Sequence, residues 1–482
     1  MKMNKKFNSS RRDFLKTSGA IAAGLGLVGT MGMTRNVHAA GSDEIRLALI
    51  GCGGRGSGAI RDRLAVGDNA KVIAVADAFE NDAKGCAAGL REDEDFKAKV
   101  AIPDDQVFHG LEAYKQAIDC LRPGIDAVVI ANPPGFRPIQ YRYAIEKGVH
   151  VFMEKPCCTD ALGFRNLIDV NKMADEKNLK VCVGLQRRHD PGFRKWVGEI
   201  HDGLIGDVSF TRVFWNGDGI WCRPREAGES EMHYQVRNWY HFVWLCGDNI
   251  NEQHIHNIDM GLWMHGKGDD KCHPVSANAQ GGRQNRAAPD EVMRSAPPFA
   301  DRRAWDDWYQ KNKGKCGRYG QAWDHFFVEF TFADGSRMFS QCRHVPGCWN
   351  CVGQSVHGTK GFGESEYCPS YFKDASGNEI AKIRTNAGQF RLEHVNHVEA
   401  IRDDKPMNNG WYAAMSSMTT VLGREAAFSG KIVNWDELVE NGKTYVPQDG
   451  FSSYDQTPPV VPDADGFYES SVAKPGQYNP FA

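Results

Sequence analysis

The chain has 482 residues, with 58 Lys+Arg against 61 Asp+Glu, 41% hydrophobic and 11% aromatic residues, 51 Gly and 14 Cys. That length provides for two or three domains and a large core. Charged residues at 25% with a full aromatic complement exclude a disordered chain, and a net charge of −3 gives no support to nucleic-acid binding.

The charge is unevenly placed. Residues 1–40 hold Lys2, Lys5, Lys6, Arg11, Arg12, Lys16 and Arg35 against Asp13 alone, so removing that +6 leaves −9 for the remaining 442 residues. The segment reads as a leader: Ser10-Arg11-Arg12-Asp13-Phe14-Leu15-Lys16, an uncharged Gly/Ala-rich run from Thr17 to Thr34, then Val37-His38-Ala39-Ala40 with small residues for a peptidase. The paired arginines before Phe14-Leu15-Lys16 resemble the twin-arginine signal, which implies that the protein meets the Tat export machinery and crosses already folded into the periplasm. All the cysteines lie beyond residue 40, mostly inside apolar runs such as Lys180 to Gly184, and a chain folded before export can carry buried, reduced thiols outward. No later stretch is apolar enough to span a membrane.

After the leader, Ile45 to Ile50 is a short apolar run ending in Gly51-Cys52-Gly53-Gly54-Arg55-Gly56, and Ser57 to Leu64 continues as a helix. Gly-x-Gly-x-x-Gly between a strand and a helix is a dinucleotide cradle: Gly51 allows the tight turn, Gly53 lets the backbone approach a pyrophosphate, and Gly56 lets helix pack on strand. The next apolar run, Val72 to Ala76, ends at Asp77, 21 residues past the third glycine, where an acid accepts hydrogen bonds from ribose hydroxyls and repels a 2′-phosphate. NAD is therefore the expected cofactor. Further apolar runs at 126–131, 149–153 and 181–183, alternating with polar helical segments, predict a parallel, doubly wound sheet. The cofactor-binding residues expected are Gly51, Cys52, Gly53, Gly54, Arg55, Gly56, Asp77, Asn132, Pro133, Glu154 and Lys155.

The strand ending at Met153 runs into Glu154-Lys155-Pro156, which places a lysine at the cofactor's edge of the sheet, able to hydrogen-bond a substrate hydroxyl and favour its developing alkoxide. About a hundred residues on lie Glu252, His254, His256 and Asp259. As one helix, Glu252, His256 and Asp259 share a face while His254 points away, so a carboxylate one turn from the imidazole would orient His256 as a general base. A metal site is disfavoured, because residues two apart on a helix do not face each other.

Together, Gly51 to Gly56, Asp77, Glu154-Lys155-Pro156 and the Glu252, His256, Asp259 helix resemble the glucose-fructose oxidoreductase/inositol dehydrogenase (Gfo/Idh/MocA) family, from about Glu44 to Trp435. The resemblance implies an α/β fold: an N-terminal Rossmann dinucleotide-binding domain and a C-terminal α+β domain with a large, mainly antiparallel open sheet. The domains fall at 1–40 (signal), 41–160 (NAD-binding), 161–450 (substrate and oligomer contacts) and 451–482 (extended tail). It also implies Lys155, His256 and Glu252 as the catalytic group, and homo-oligomerisation. The reaction implied is hydride transfer between NAD and a secondary hydroxyl of a sugar, glycoside or cyclitol, with a tightly held, internally recycled cofactor. The sequence departs from the family in having Glu252 where inositol dehydrogenase-like members have Asp, and His254 where many have Gly. Rival readings are an NAD-dependent glycosidase that oxidises its substrate transiently, and a non-catalytic sugar-binding protein.

Expected substrate contacts are Lys155, Arg187, Trp239, Tyr240, Asp259 and His256, since aromatic faces stack on the apolar side of sugar rings. Strands are expected at 208–215, 326–332 and 338–342, with Asp334-Gly335 as a hairpin turn. The polar stretch 283–320 reads as an insertion, Cys348 and Cys351 as a local disulfide or two buried thiols, and the proline-rich tail as an arm that wraps a neighbouring subunit.

Overall fold

In the computed structural model, residues 44–284 and 320–481 are described, apart from 68, 224, 227, 367–368, 386–387 and 465–467, together with Asp307. The leader, and nearly all of the insertion expected at 283–320, lie outside the described residues.

The first sheet comprises β1 (Ile45–Ile50), β2 (Ala70–Asp77), β3 (Val107–His109), β4 (Ala127–Ile130), β5 (His150–Met153) and β6 (Val181–Val183). Its order is β3-β2-β1-β4-β5-β6, with every pairing parallel. Successive side chains leave a strand on opposite faces, so Leu47 and Leu49 enter one hydrophobic core while Ala48 and Ile50 enter another. Burial on both faces is why these strands read as unbroken apolar runs. The order reverses between β1 and β4, and at that switch point the carboxyl ends of the strands open a crevice. Helix Ala161–Glu176 and β6 complete this layer, which therefore reaches Val183, past the boundary expected at residue 160.

The second sheet comprises β7 (Val208–Gly217), β8 (Ser276–Gly282), β9 (His325–Thr331), β10 (Arg337–His344), β11 (Cys351–Gly358), β12 (Gly361–Ser365), β13 (Ser370–Asp374), β14 (Glu379–Ile383) and β15 (Val433–Asn434). Its order is β14-β13-β12-β11-β7-β10-β9-β8-β15, antiparallel except for the β7–β10 pair. Asp334 and Gly335 make the β9–β10 turn: Gly335 has φ +86°, and the Asp334 carboxylate accepts from Ser336 N at 2.9 Å. Helices Ile255–Gly266 and Gly410–Ser429 cover one face. In the latter every residue except Trp411 is buried, and its Arg424 ties the layers together, donating to the Glu425 carboxylate at 2.6 Å and the Thr159 carbonyl at 2.8 Å.

The tail packs on its own chain. Gln235 donates to the Val460 carbonyl at 2.6 Å, Lys443 N to the Pro480 carbonyl at 2.9 Å, and the Tyr445 and Tyr478 hydroxyls meet at 2.6 Å. Within its own chain the tail is thus held as a strap across Gln235, Lys443 and Tyr445. Cys348 and Cys351 are free thiols, the first exposed and the second buried.

Candidate active site

A cavity of about 570 Å³ opens at the switch point. Its floor is the glycine loop, with Gly51 at φ +92° packed against the backbone of Asn132. A Cβ on Gly56 would lie 1.8 Å from the Gly51 carbonyl, so that glycine is required by the protein's own packing. Gly53 and Gly54 differ: a Cβ at either meets nothing within 4 Å. Gly53 is the N-cap of helix Gly54–Leu64, has an ordinary extended backbone (φ −68°, ψ −174°), and makes no side-chain cap, so the first turn's N–H groups face open space. A bare helix start beneath glycines that the fold itself does not need is what a pyrophosphate fits.

At the end of β2, Asp77 accepts from Cys52 N at 2.6 Å and from Phe79 N at 2.9 Å. Burial pushes its carboxyl up to about 6, against the pull of those N–H groups and of Arg223. Two oriented oxygens at the strand end suit a ribose diol. Cys52 is a correction among the expected cofactor contacts: it does not line the cavity, because its thiol turns back toward the Ala76 carbonyl at 3.6 Å and only its N–H serves the site.

Arg55 is drawn across the loop by Glu154 (2.6 Å) and by Glu393 (3.3 Å) from helix Gln389–Arg402. Burial and the neighbouring Glu154 push the Glu393 carboxyl well above the usual range. Arg137 donates to the carbonyls of Asn132 and Pro156, and Asn132 donates to Gln140 at 2.7 Å, fixing the ends of β4 and β5. The buried atoms Asn132 Oδ1, Gln186 Oε1 and Glu252 Oε2 belong to cavity-lining residues and have no protein partner. Such orphaned acceptors mark where a bound group completes the hydrogen bonding.

Lys155 and His256 both line this cavity, as do Trp239 and Tyr240. The expected single helix is broken. Asn249–Glu252 and Ile255–Gly266 are separate helices with Gln253 and His254 between them. Glu252 therefore serves Lys155, not His256: Lys155 Nζ donates to its carboxylate at 3.1 Å and to its carbonyl at 2.5 Å. Burial raises the Glu252 carboxyl while Lys155 and Arg137 pull it down. His256 stacks on Trp215 at 5.7 Å, and burial with nearby Lys155 and Arg187 holds its imidazole well below the usual histidine range, hence neutral.

Two expected substrate contacts lie elsewhere. Asp259 is buried in the core, where Arg188 grips its carboxylate (2.9 Å) and Ser416 donates to it (2.8 Å), so it is a structural ion pair. Arg187 stands behind His256, donating to its carbonyl at 3.4 Å and to Gln354 at 3.2 Å, and does not line the cavity. His254 points away as expected and bonds Ser340 at 2.8 Å.

Comparison with known proteins agrees with the geometry. Residues 45–185 match the Gfo/Idh/MocA family model, described as an oxidoreductase family with an NAD-binding Rossmann fold. Residues 45–185 thus carry this family's NAD-binding Rossmann fold. Residues 8–28 match the twin-arginine translocation signal, an export signal. The chain is similar to the inositol 2-dehydrogenase of Acidothermus cellulolyticus, 26% identical over 51% of this chain and 60% of the relative. A second such dehydrogenase, from Klebsiella pneumoniae, is 30% identical over 46% of this chain and 54% of the relative. The match thus spans little more than half of these relatives' length. In fold it resembles levoglucosan dehydrogenase in complex with NADH and levoglucosan (TM-score 0.57, 17% identity, 81% of this chain and 99% of that one). It also resembles the aldose-aldose oxidoreductase of Caulobacter crescentus (TM-score 0.56, 17% identity, with the same shares). NAD is the family's cofactor, and the loop, Asp77 and the orphaned acceptors fit it.

In the wall formed by Trp221, Arg223, Val236 and Arg237, the last three were not anticipated as a site. Its one sequence signal is the clustering of Trp215, Trp221, Trp239 and Tyr240, an aromatic density that also suits a core.

Proposed function

We propose that this chain is a periplasmic NAD-dependent dehydrogenase acting on a secondary hydroxyl of a cyclitol, sugar or glycoside. What carries the reading is that Lys155 and His256 share one cavity with the glycine loop and Asp77. NAD, when bound, supplies the hydride acceptor. Lys155 hydrogen-bonds the reacting oxygen and favours the alkoxide, and neutral His256 takes the hydroxyl proton. Glu252 is a positioning residue that aims the ammonium, and Trp239 and Tyr240 offer ring faces to the substrate. Because soluble NAD is not expected beyond the cytoplasm, folded export favours a cofactor loaded beforehand, retained, and recycled by a second carbonyl substrate. The other face of the nine-stranded sheet carries Phe210, Phe339 and the half-exposed Phe327, the surface on which a second copy would pack.

The test is purified protein titrated with NAD and then with a panel of cyclitols and glycosides, read by reduced-nicotinamide absorbance and by product analysis. NAD binding with reduction by a secondary alcohol, leaving a ketone, is expected. Absence of NAD binding overturns the reading, and release of free sugar with no net redox change replaces it with the glycosidase.

A further inference from the structure

The adenosine end of the cavity is built by parts of the chain far from the parallel sheet. Asp77, Ala78 and Phe79 face Arg223, Val236 and Arg237 across it. Behind Phe79 lies a three-ring cluster: Tyr454 stacks on Phe79 at 6.2 Å, and His233 meets Phe79 edge-on at 4.9 Å and Tyr454 at 5.0 Å. The Tyr454 hydroxyl donates to the Ala78 carbonyl at 2.7 Å. Ser230 Oγ donates to the Tyr454 carbonyl at 2.9 Å, and Glu229 holds His233 and Arg237 at 2.7 Å each.

The connections are consecutive. Phe79 N–H orients Asp77, Tyr454 and His233 orient Phe79, and the tail residue Tyr454 is itself fixed by Ser230. We propose that the C-terminal tail is part of the dinucleotide site: Tyr454 positions the Asp77–Phe79 loop and, with Trp221, Arg223, Val236 and Arg237, clasps the adenosine half so that the cofactor stays bound through successive turnovers. The inference rests on the NAD reading above. It supplies from within one chain the retention that an exported enzyme needs.

The test is calorimetric titration of the full-length protein with NAD, ADP-ribose and nicotinamide mononucleotide, with NAD dissociation followed by displacement. In Tyr454→Ala, NAD and ADP-ribose are expected to bind about tenfold more weakly, with faster NAD release and unchanged affinity for the mononucleotide. The KM for NAD rises while kcat at saturating NAD holds. Tyr454→Phe and Ser230→Ala, which keep the ring cluster, are expected to show about threefold effects in the same direction, and they decide the matter should the alanine variant fail to fold. Equal weakening of all three ligands, or no change in dissociation, overturns the clasp. Failure of the unmutated protein to bind NAD overturns the reading beneath it instead.

Discussion

Lys155 donates its ammonium to both the carboxylate and the backbone carbonyl of Glu252, at 3.1 and 2.5 Å. The link spans the two domains and puts the lysine's direction under the control of the helix Asn249–Glu252. Lys155→Met is expected to lower kcat about 10²–10³-fold, the scale of losing one preorganised donor at a developing oxyanion. Glu252→Gln keeps the shape and the carbonyl contact but loses the charge, and a drop of about tenfold is expected. Titration with NAD is expected to give unchanged affinity in Glu252→Gln, which separates positioning of the reacting oxygen from cofactor binding.

Two glycines of one loop are expected to fail differently. Gly53→Ala adds a methyl where no protein atom lies within 4 Å, so stability is expected to hold within about 0.5 kcal/mol while NAD affinity falls. Gly56→Ala places a methyl 1.8 Å from the Gly51 carbonyl, so about 1–3 kcal/mol of stability is expected to go along with the affinity. Urea denaturation and NAD titration of the two variants provide the check. A Gly53→Ala protein that binds NAD normally would remove the pyrophosphate from this loop.

The strand, glycine loop, helix and Asp77 could be read from sequence because each is a local pattern: an apolar run, a turn that needs glycine, and an acid at a fixed spacing. The partner of Glu252 could not, since Lys155 lies 97 residues earlier and the helical period that joined Glu252 to His256 is interrupted at Gln253 and His254. The short helix Asn249–Glu252 starts at Asp248, which sits at φ +74° and spends its carboxylate on Asn249 N and Trp323 N, a tertiary arrangement that residue spacing does not encode. Asp259 misled for a related reason. A carboxylate on the inner face of a helix looks the same in sequence whether it meets a sugar or an arginine 71 residues away. The tail residues Tyr454 and Val460 are placed on Ser230 and Gln235, at and in the short helix Glu231–Arg237, by contacts across more than two hundred residues.

The Arg188–Asp259 pair gives a stability prediction that leaves binding alone. Both groups are buried, and Ser416 supplies a further hydrogen bond, so Asp259→Asn leaves Arg188 with only the more exposed Asp270, at 3.3 Å, as counter-charge. A loss of about 2–3 kcal/mol in urea denaturation is expected, below the full cost of an unpaired buried charge because Asp270 remains, with NAD affinity and the KM for substrate unchanged in the folded fraction. A rise in KM without loss of stability would return Asp259 to the substrate site.

Asp77 makes cofactor affinity depend on pH. Its carboxyl is raised to about 6 by burial, against the usual 3.8, so the free protein carries a partly protonated acid at mildly acid pH. Ribose hydroxyls donate to the ionised form, and binding therefore strengthens that form and draws the proton off. As pH falls through about 6, NAD affinity is expected to weaken, approaching tenfold per pH unit well below that value if only the ionised form binds. Above about 7 it is expected to level off. Asp77→Asn cannot titrate and is expected to bind NAD more weakly at neutral pH, with no dependence through this range. Calorimetric titrations from pH 5 to 8 on both proteins test the assignment, and an unchanged slope in the variant would move the pH-sensitive group away from Asp77.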